Sequence, residues 1–111
     1  MKIKFISWNY REAGLSREEL TVGKVYTVIG IEGDFYRILN DEKQPFLYEK
    51  EMFDVVDYAI PENWIRTEYD DNEFFIEPPE LSSAGFYEDY FDGKAEPKEK
   101  LSQFLKSFID K

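Results

Sequence analysis

Two runs, Lys24-Val25-Tyr26-Thr27-Val28-Ile29-Gly30-Ile31 and Phe35-Tyr36-Arg37-Ile38-Leu39, flank the short connection Glu32-Gly33-Asp34. Both runs are rich in β-branched and aromatic residues, which suit a pleated surface, so they read as strands. The connection reads as a tight turn because Gly33 takes positive φ at no steric cost. Side chains alternate along a strand. Strict alternation sends Tyr26 and Val28 one way and Val25, Ile29 and Ile31 the other. In the second run Tyr36 and Ile38 oppose Phe35 and Leu39. A strand wetted on one face is polar there, yet these are apolar on both. One face therefore fills a core, and the other needs a cover.

Upstream, Lys2–Trp8 reads as a first strand and Glu12–Glu19 as a polar loop. Downstream, Asn40–Pro45 reads as a turn, Phe46–Tyr48 as a short strand, Glu49–Phe53 as one helical turn, and Val55-Val56 as extended chain. The cover is predicted near the C-terminus. After Pro97, a residue suited to a first helical turn, Leu101, Phe104, Leu105, Phe108 and Ile109 form one apolar helical stripe. So short a helix is marginal alone in water and must dock. Burying five such side chains contributes roughly 8–15 kcal/mol before entropy is counted. The stripe is expected on the outer sheet face, or against a second copy of the chain as a homodimer. Between these parts, Ile60–Ile65 reads as an extended crossover and Glu73–Glu77 as a strand ended by Pro78-Pro79. A helix is expected from Leu81-Ser82-Ser83 to Phe91, capped by Ser82 or Ser83, weakened by Gly85 and stopped at Gly93.

The chain has 111 residues and a formal net charge of -10, with 42% hydrophobic residues, so it is neither a disordered acidic tail nor more than one small domain. It has no Cys and no His, which excludes disulfides, thiol chemistry, zinc fingers, haem ligation and every His-based catalytic triad. No apolar run is long enough to span a membrane, and the N-terminal stretch is too interrupted for a signal peptide, so a cytoplasmic location is expected. The basic residues are scattered, which disfavours direct binding of nucleic acid and favours a basic protein partner.

The segments Leu20-Thr21-Val22-Gly23-Lys24-Val25-Tyr26-Thr27-Val28 and Tyr36-Arg37-Ile38-Leu39-Asn40-Asp41, with Tyr48 and Phe53, resemble the small SH3-like β-barrel proteins of Gram-positive bacteria and their phages and mobile elements. The resemblance covers residues 1–57 and carries no catalytic residues. It implies an α+β fold, mainly β with a C-terminal helix: an SH3-like barrel core over 1–57, then an acidic, aromatic-rich extension over 58–111 packed on it as one domain. Such barrels serve many roles, so the resemblance implies little about function.

The charge is uneven. Residues 1–57 hold 8 basic and 11 acidic side chains, whereas 58–111 hold 6 and 13. Between Glu68 and Asp92 stand nine acids and no Lys or Arg. The group Asp70-Asp71-Asn72-Glu73 lacks the alternating ligands and central Gly of a calcium loop, so no metal is expected. Glu88 and Asp92, four apart on the expected helix, lack any second catalytic element, and neither enzyme activity nor a cofactor is expected. Interfaces favour Tyr and Trp. The candidate partner-binding residues are accordingly Glu68, Tyr69, Asp70, Asp71, Glu73, Tyr87, Glu88, Asp89, Asp92 and Trp64. Phe75, Phe86 and Tyr90 are expected to be mainly buried, and Tyr69, Tyr87 and Trp64 exposed. The expected function is neutralisation of a basic protein, such as a toxin, in the manner of an immunity protein or antitoxin. The alternative is a phage or mobile-element accessory protein, an SH3-like adaptor or homodimeric module.

Overall fold

The computed structural model describes residues 1–6, 19–69 and 73–109. Strands β1 (Lys2–Phe5), β2 (Val25–Glu32), β3 (Phe35–Leu39), β4 (Pro45–Glu49) and β5 (Phe53–Asp57) form an antiparallel sheet in the order β4-β3-β2-β1-β5. A 3-10 turn, Lys50–Met52, joins β4 to β5. Strands β6 (Ile65–Glu68) and β7 (Phe74–Glu77) form a hairpin, and β7 also pairs with the end of β2. The sheet thus has seven antiparallel strands and does not close. Two helices follow, α1 (Phe86–Phe91) and α2 (Ala95–Ile109). The protein is mainly β with a C-terminal helix. Among the described residues no helix is long and apolar enough to cross a membrane. The bond between β2 and β7 ties the first half of the chain to the second.

The curled sheet encloses a first core of Ile3, Phe5, Tyr26, Val28, Ile31, Tyr36, Ile38, Tyr48, Met52 and Phe53. Phe53 organises it, with its ring 5.6 Å from Phe5 and 6.1 Å from Tyr36. A second core lies on the other face of the sheet. Ile29 meets Leu81, Phe86, Leu101 and Phe104 there, with Leu39, Leu105 and Phe108 packed around them. Leu101, Phe104, Leu105 and Phe108 of the C-terminal stripe therefore cover the outer face of their own sheet.

Ile31 lies with Tyr26 and Val28, whereas strict alternation paired it with Ile29. The β2–β3 register shifts between Val28 and Gly30. That bulge adds one residue and reverses the alternation beyond it. Ile29 keeps its outward place, in the second core, and Ile31 is turned inward into the first.

The helix expected from Ser82 or Ser83 starts later. A 3-10 turn spans Pro79–Leu81, and the Ser82 hydroxyl donates to the Pro79 carbonyl 2.9 Å away instead of capping a helix. Gly85 stands at φ 72°, a left-handed conformation that an α-helix interior does not accommodate, so α1 begins after it. The expected stop holds, for Gly93 N–H donates to the Tyr90 carbonyl at 3.1 Å. Strand β6 lies beyond the expected crossover, which shares only Ile65 with it. All four of its residues are exposed, so it lacks the apolar alternation that marks a half-buried strand. The readings of the end of the Lys2–Trp8 strand, most of the Glu12–Glu19 loop, Asp70 and Asp71 lie outside the described residues.

Candidate functional site

The segments that carry the resemblance meet at one polar clasp. Asp41 accepts hydrogen bonds from Thr21 Oγ1 at 2.6 Å, Lys24 Nζ at 2.8 Å and the Tyr26 hydroxyl at 2.8 Å. The Tyr26 hydroxyl in turn accepts from Thr21 N–H at 2.8 Å. Beside it, Asn40 Oδ1 accepts from the backbone N–H groups of Glu42 and Gln44, each at 2.9 Å, and closes the turn as an Asx motif. Asn40 Nδ2 reaches the Tyr48 hydroxyl, which donates to Glu19 Oε1 at 2.7 Å. Burial pushes the Asp41 carboxyl up, but the donors Lys24, Thr21 and Tyr26 outweigh it and hold it below its ordinary value. Thr21, Lys24, Tyr26 and Asp41 fasten the 19–24 segment to the β3–β4 turn and Asn40 closes that turn, so these residues build structure.

The outer sheet face beside α1 has a different character. Register fixes one row across four strands: Phe35, Glu32, Phe75 and Thr67 are successive cross-strand partners. The next row holds Leu47 opposite Arg37 on β4 and β3, and Glu77 opposite Ile65 on β7 and β6. Arg37 is buried and all three of its guanidinium nitrogens are engaged. Nε and Nη2 donate to Glu32 Oε2 at 2.9 and 2.5 Å, and Nη1 donates to the Pro45 carbonyl at 2.6 Å. The guanidinium also lies 3.7 Å from the centroid of the Tyr87 ring on α1. Burial chiefly raises the Glu77 carboxyl above its ordinary value; Glu32 adds to this and Arg37 opposes it. Burial likewise pushes the Tyr87 hydroxyl well up.

The expected site residues fall into two groups. Glu68, Tyr69 and Glu73 lie at the end of the β6–β7 hairpin, where Tyr69 N–H donates to the Glu73 carbonyl at 2.8 Å. Glu68 pairs with Arg66 at 3.1 Å. Tyr87, Glu88, Asp89 and Asp92 belong to α1 and its C-terminus, with Asp89 bonded to Lys94 at 2.9 Å. Trp64 joins this second group, because it packs on the second core as Tyr87 does, with its ring 5.8 Å from Phe108. Tyr69 is exposed, but Trp64 and Tyr87 are half-buried, as are Phe75 and Tyr90; Phe86 is buried. The groups are linked across the sheet. Tyr69 touches Phe75 at 4.9 Å, Phe75 stands opposite Glu32, Glu32 bonds Arg37, and Arg37 stacks on Tyr87.

Sequence reasoning missed Glu32, Arg37 and Glu77. Alternation did place Arg37 on the outer face with Phe35 and Leu39, and a charge among apolar neighbours was the available signal. The placement of Glu77 depends on the β2–β7 pairing, which no local pattern encodes.

Among the described residues no group of three Asp or Glu side chains is arranged to hold a metal ion. An open groove of about 370 Å³ runs between the Pro79–Ser83 segment and α2, where Glu80 and Lys100 bring opposite charges. Comparison of the chain with protein-family models, with curated proteins and with solved structures finds no match in any of the three.

Proposed function

We propose that this chain is a non-catalytic acidic binding protein that neutralises a basic protein partner, in the manner of an immunity protein or antitoxin, with an SH3-like curled sheet as its platform. The observation that carries this reading is the contact path from Tyr69 through Phe75, Glu32 and Arg37 to Tyr87, which joins the acidic hairpin end to the acidic helix α1. Glu73 beside Tyr69 and the exposed Glu88 and Asp92 of α1 steer a basic partner from the two ends of this path, and the rings between them supply apolar contact, while Glu68, opposite Phe74, points to the other face of the sheet. The curled sheet, in which β1 to β4 meander and β5 returns to pair with β1, supports the SH3-like part of the reading. The homodimer form of the alternative drew its motive from the apolar outer face and the helix that must cover it. Here α2 supplies that cover from within the chain.

The test is affinity capture from bacterial lysate at about 50 mM salt, followed by purification of what is captured. A basic protein that binds stoichiometrically, loses its own activity when bound, and associates more slowly as salt rises is the expected outcome. Capture of no basic protein at low salt overturns the reading.

A further inference from the structure

The charges on the outer face do not balance. Glu32 and Glu77 flank Arg37, a single cation whose guanidinium nitrogens are already committed to Glu32 and the Pro45 carbonyl. Among the described residues Glu77 makes no ion pair of its own, and its side chain is half-buried. The rim around it is apolar or aromatic. Ile65 stands directly opposite and is 43% exposed, Phe75 lies two residues along the same face, and the Tyr87 ring closes the side toward α1. A carboxylate partly removed from water beside a second carboxylate gains from any cation delivered to it. Such a cation reaches further if its stem is apolar and can lie along the rings, as the stems of Lys and Arg do.

We propose that Glu77 receives a Lys or Arg side chain of the partner, which seats against Phe75, Ile65 and Tyr87 and completes a Glu32–Arg37–Glu77–cation array. This rests on the basic-partner reading and says where on the protein that partner is anchored. The exposed acids Glu88 and Asp92 then steer the approach, while Glu77 holds the anchor and governs the off-rate.

The experiment titrates the isotope-labelled full chain with a hexa-arginine peptide at about 20 mM salt and follows both backbone amides and side-chain carboxyl signals by NMR. The expected result is saturable shifts centred on Glu32, Phe75, Glu77 and Tyr87, with the Glu77 carboxyl titrating at lower pH when the peptide is present. Glu77→Gln weakens the peptide about tenfold, whereas Glu96→Gln on α2 leaves it within about twofold. The carboxyl titration of the unaltered chain decides the matter even if the Glu77 variant is poorly folded. Saturable shifts centred on Glu68 and Glu73, or on Glu88 and Asp92, with Glu77 unmoved, overturn the anchor and leave the basic-partner reading standing. Absence of saturable shifts overturns the anchor too, and the lysate capture then decides the broader reading separately.

Discussion

The guanidinium of Arg37 in the middle of β3 lies 3.7 Å from the centroid of the Tyr87 ring on α1. This contact joins the sheet to its helical cover at a point where the side chain is also ion-paired. Arg37 is buried and Glu32 partly so, with 8% and 16% of their side chains exposed. Removing one member leaves the other charged and unpaired. Arg37→Met is therefore expected to destabilise the protein by about 3 kcal/mol, and Glu32→Gln added to it to recover part of that loss. Urea denaturation of the two variants and the parent measures both effects.

Glu77 works in the opposite direction. Its folded-state value is raised, chiefly by burial and then by Glu32, so folding favours the protonated carboxyl. Stability from this group is fully present below its unfolded value and is lost as pH rises through the folded value. Glu77→Gln is expected to raise the melting temperature at pH 7 by roughly 1–3 °C, and the gain is expected to vanish at acid pH. Thermal melts of both proteins across pH 3–8, about a dozen points, check the sign.

The clasp at Asp41 has the conventional sign. Its value is lowered, so its stabilisation is present above the unfolded value and is lost as pH falls through the folded one. Asp41→Asn loses the charged acceptor for Thr21, Lys24 and Tyr26. A cost of about 1–2 kcal/mol is expected, most of it from the partly buried Tyr26 hydroxyl, since Lys24 is exposed. Chemical denaturation at pH 7 tests this, and the difference from the parent is expected to shrink in acid.

Phe104 is the centre of the cover. It is buried against Ile29 and Leu101 and stacks on Phe108 at 4.9 Å. Phe104→Ala is expected to cost about 3–4 kcal/mol and to increase binding of a hydrophobic dye as the outer face is bared. An unchanged melting temperature would show that α2 contributes little to holding the sheet.

The parts legible in the sequence were those governed by local pattern. Phe35–Leu39 was read to its ends, and the stripe from Leu101 onward identified both a helix and its need for a partner surface. The parts that were not legible depend on pairing or backbone conformation. The bulge before Gly30 reversed Ile31. The left-handed Gly85 delayed α1, and the fully exposed β6 gave no alternation to read. In the candidate site, the hairpin and helix acids stood out as a run of like charge. Glu32 and Arg37 meet across the β2–β3 hairpin, but Glu77 joins them only through the long-range β2–β7 pairing, and Tyr87 was drawn under Arg37 instead of facing water.

The bulge in β2 makes a single strand the shared wall of two chambers, since Val28 and Ile31 lean into one and Ile29 into the other. Neither chamber can be emptied without loosening the wall of its neighbour. Melting is accordingly expected as one event, and a fragment ending at Asp57 would carry Ile29 and Leu39 naked into water. The curled-sheet half and the helical half thus stand or fall together.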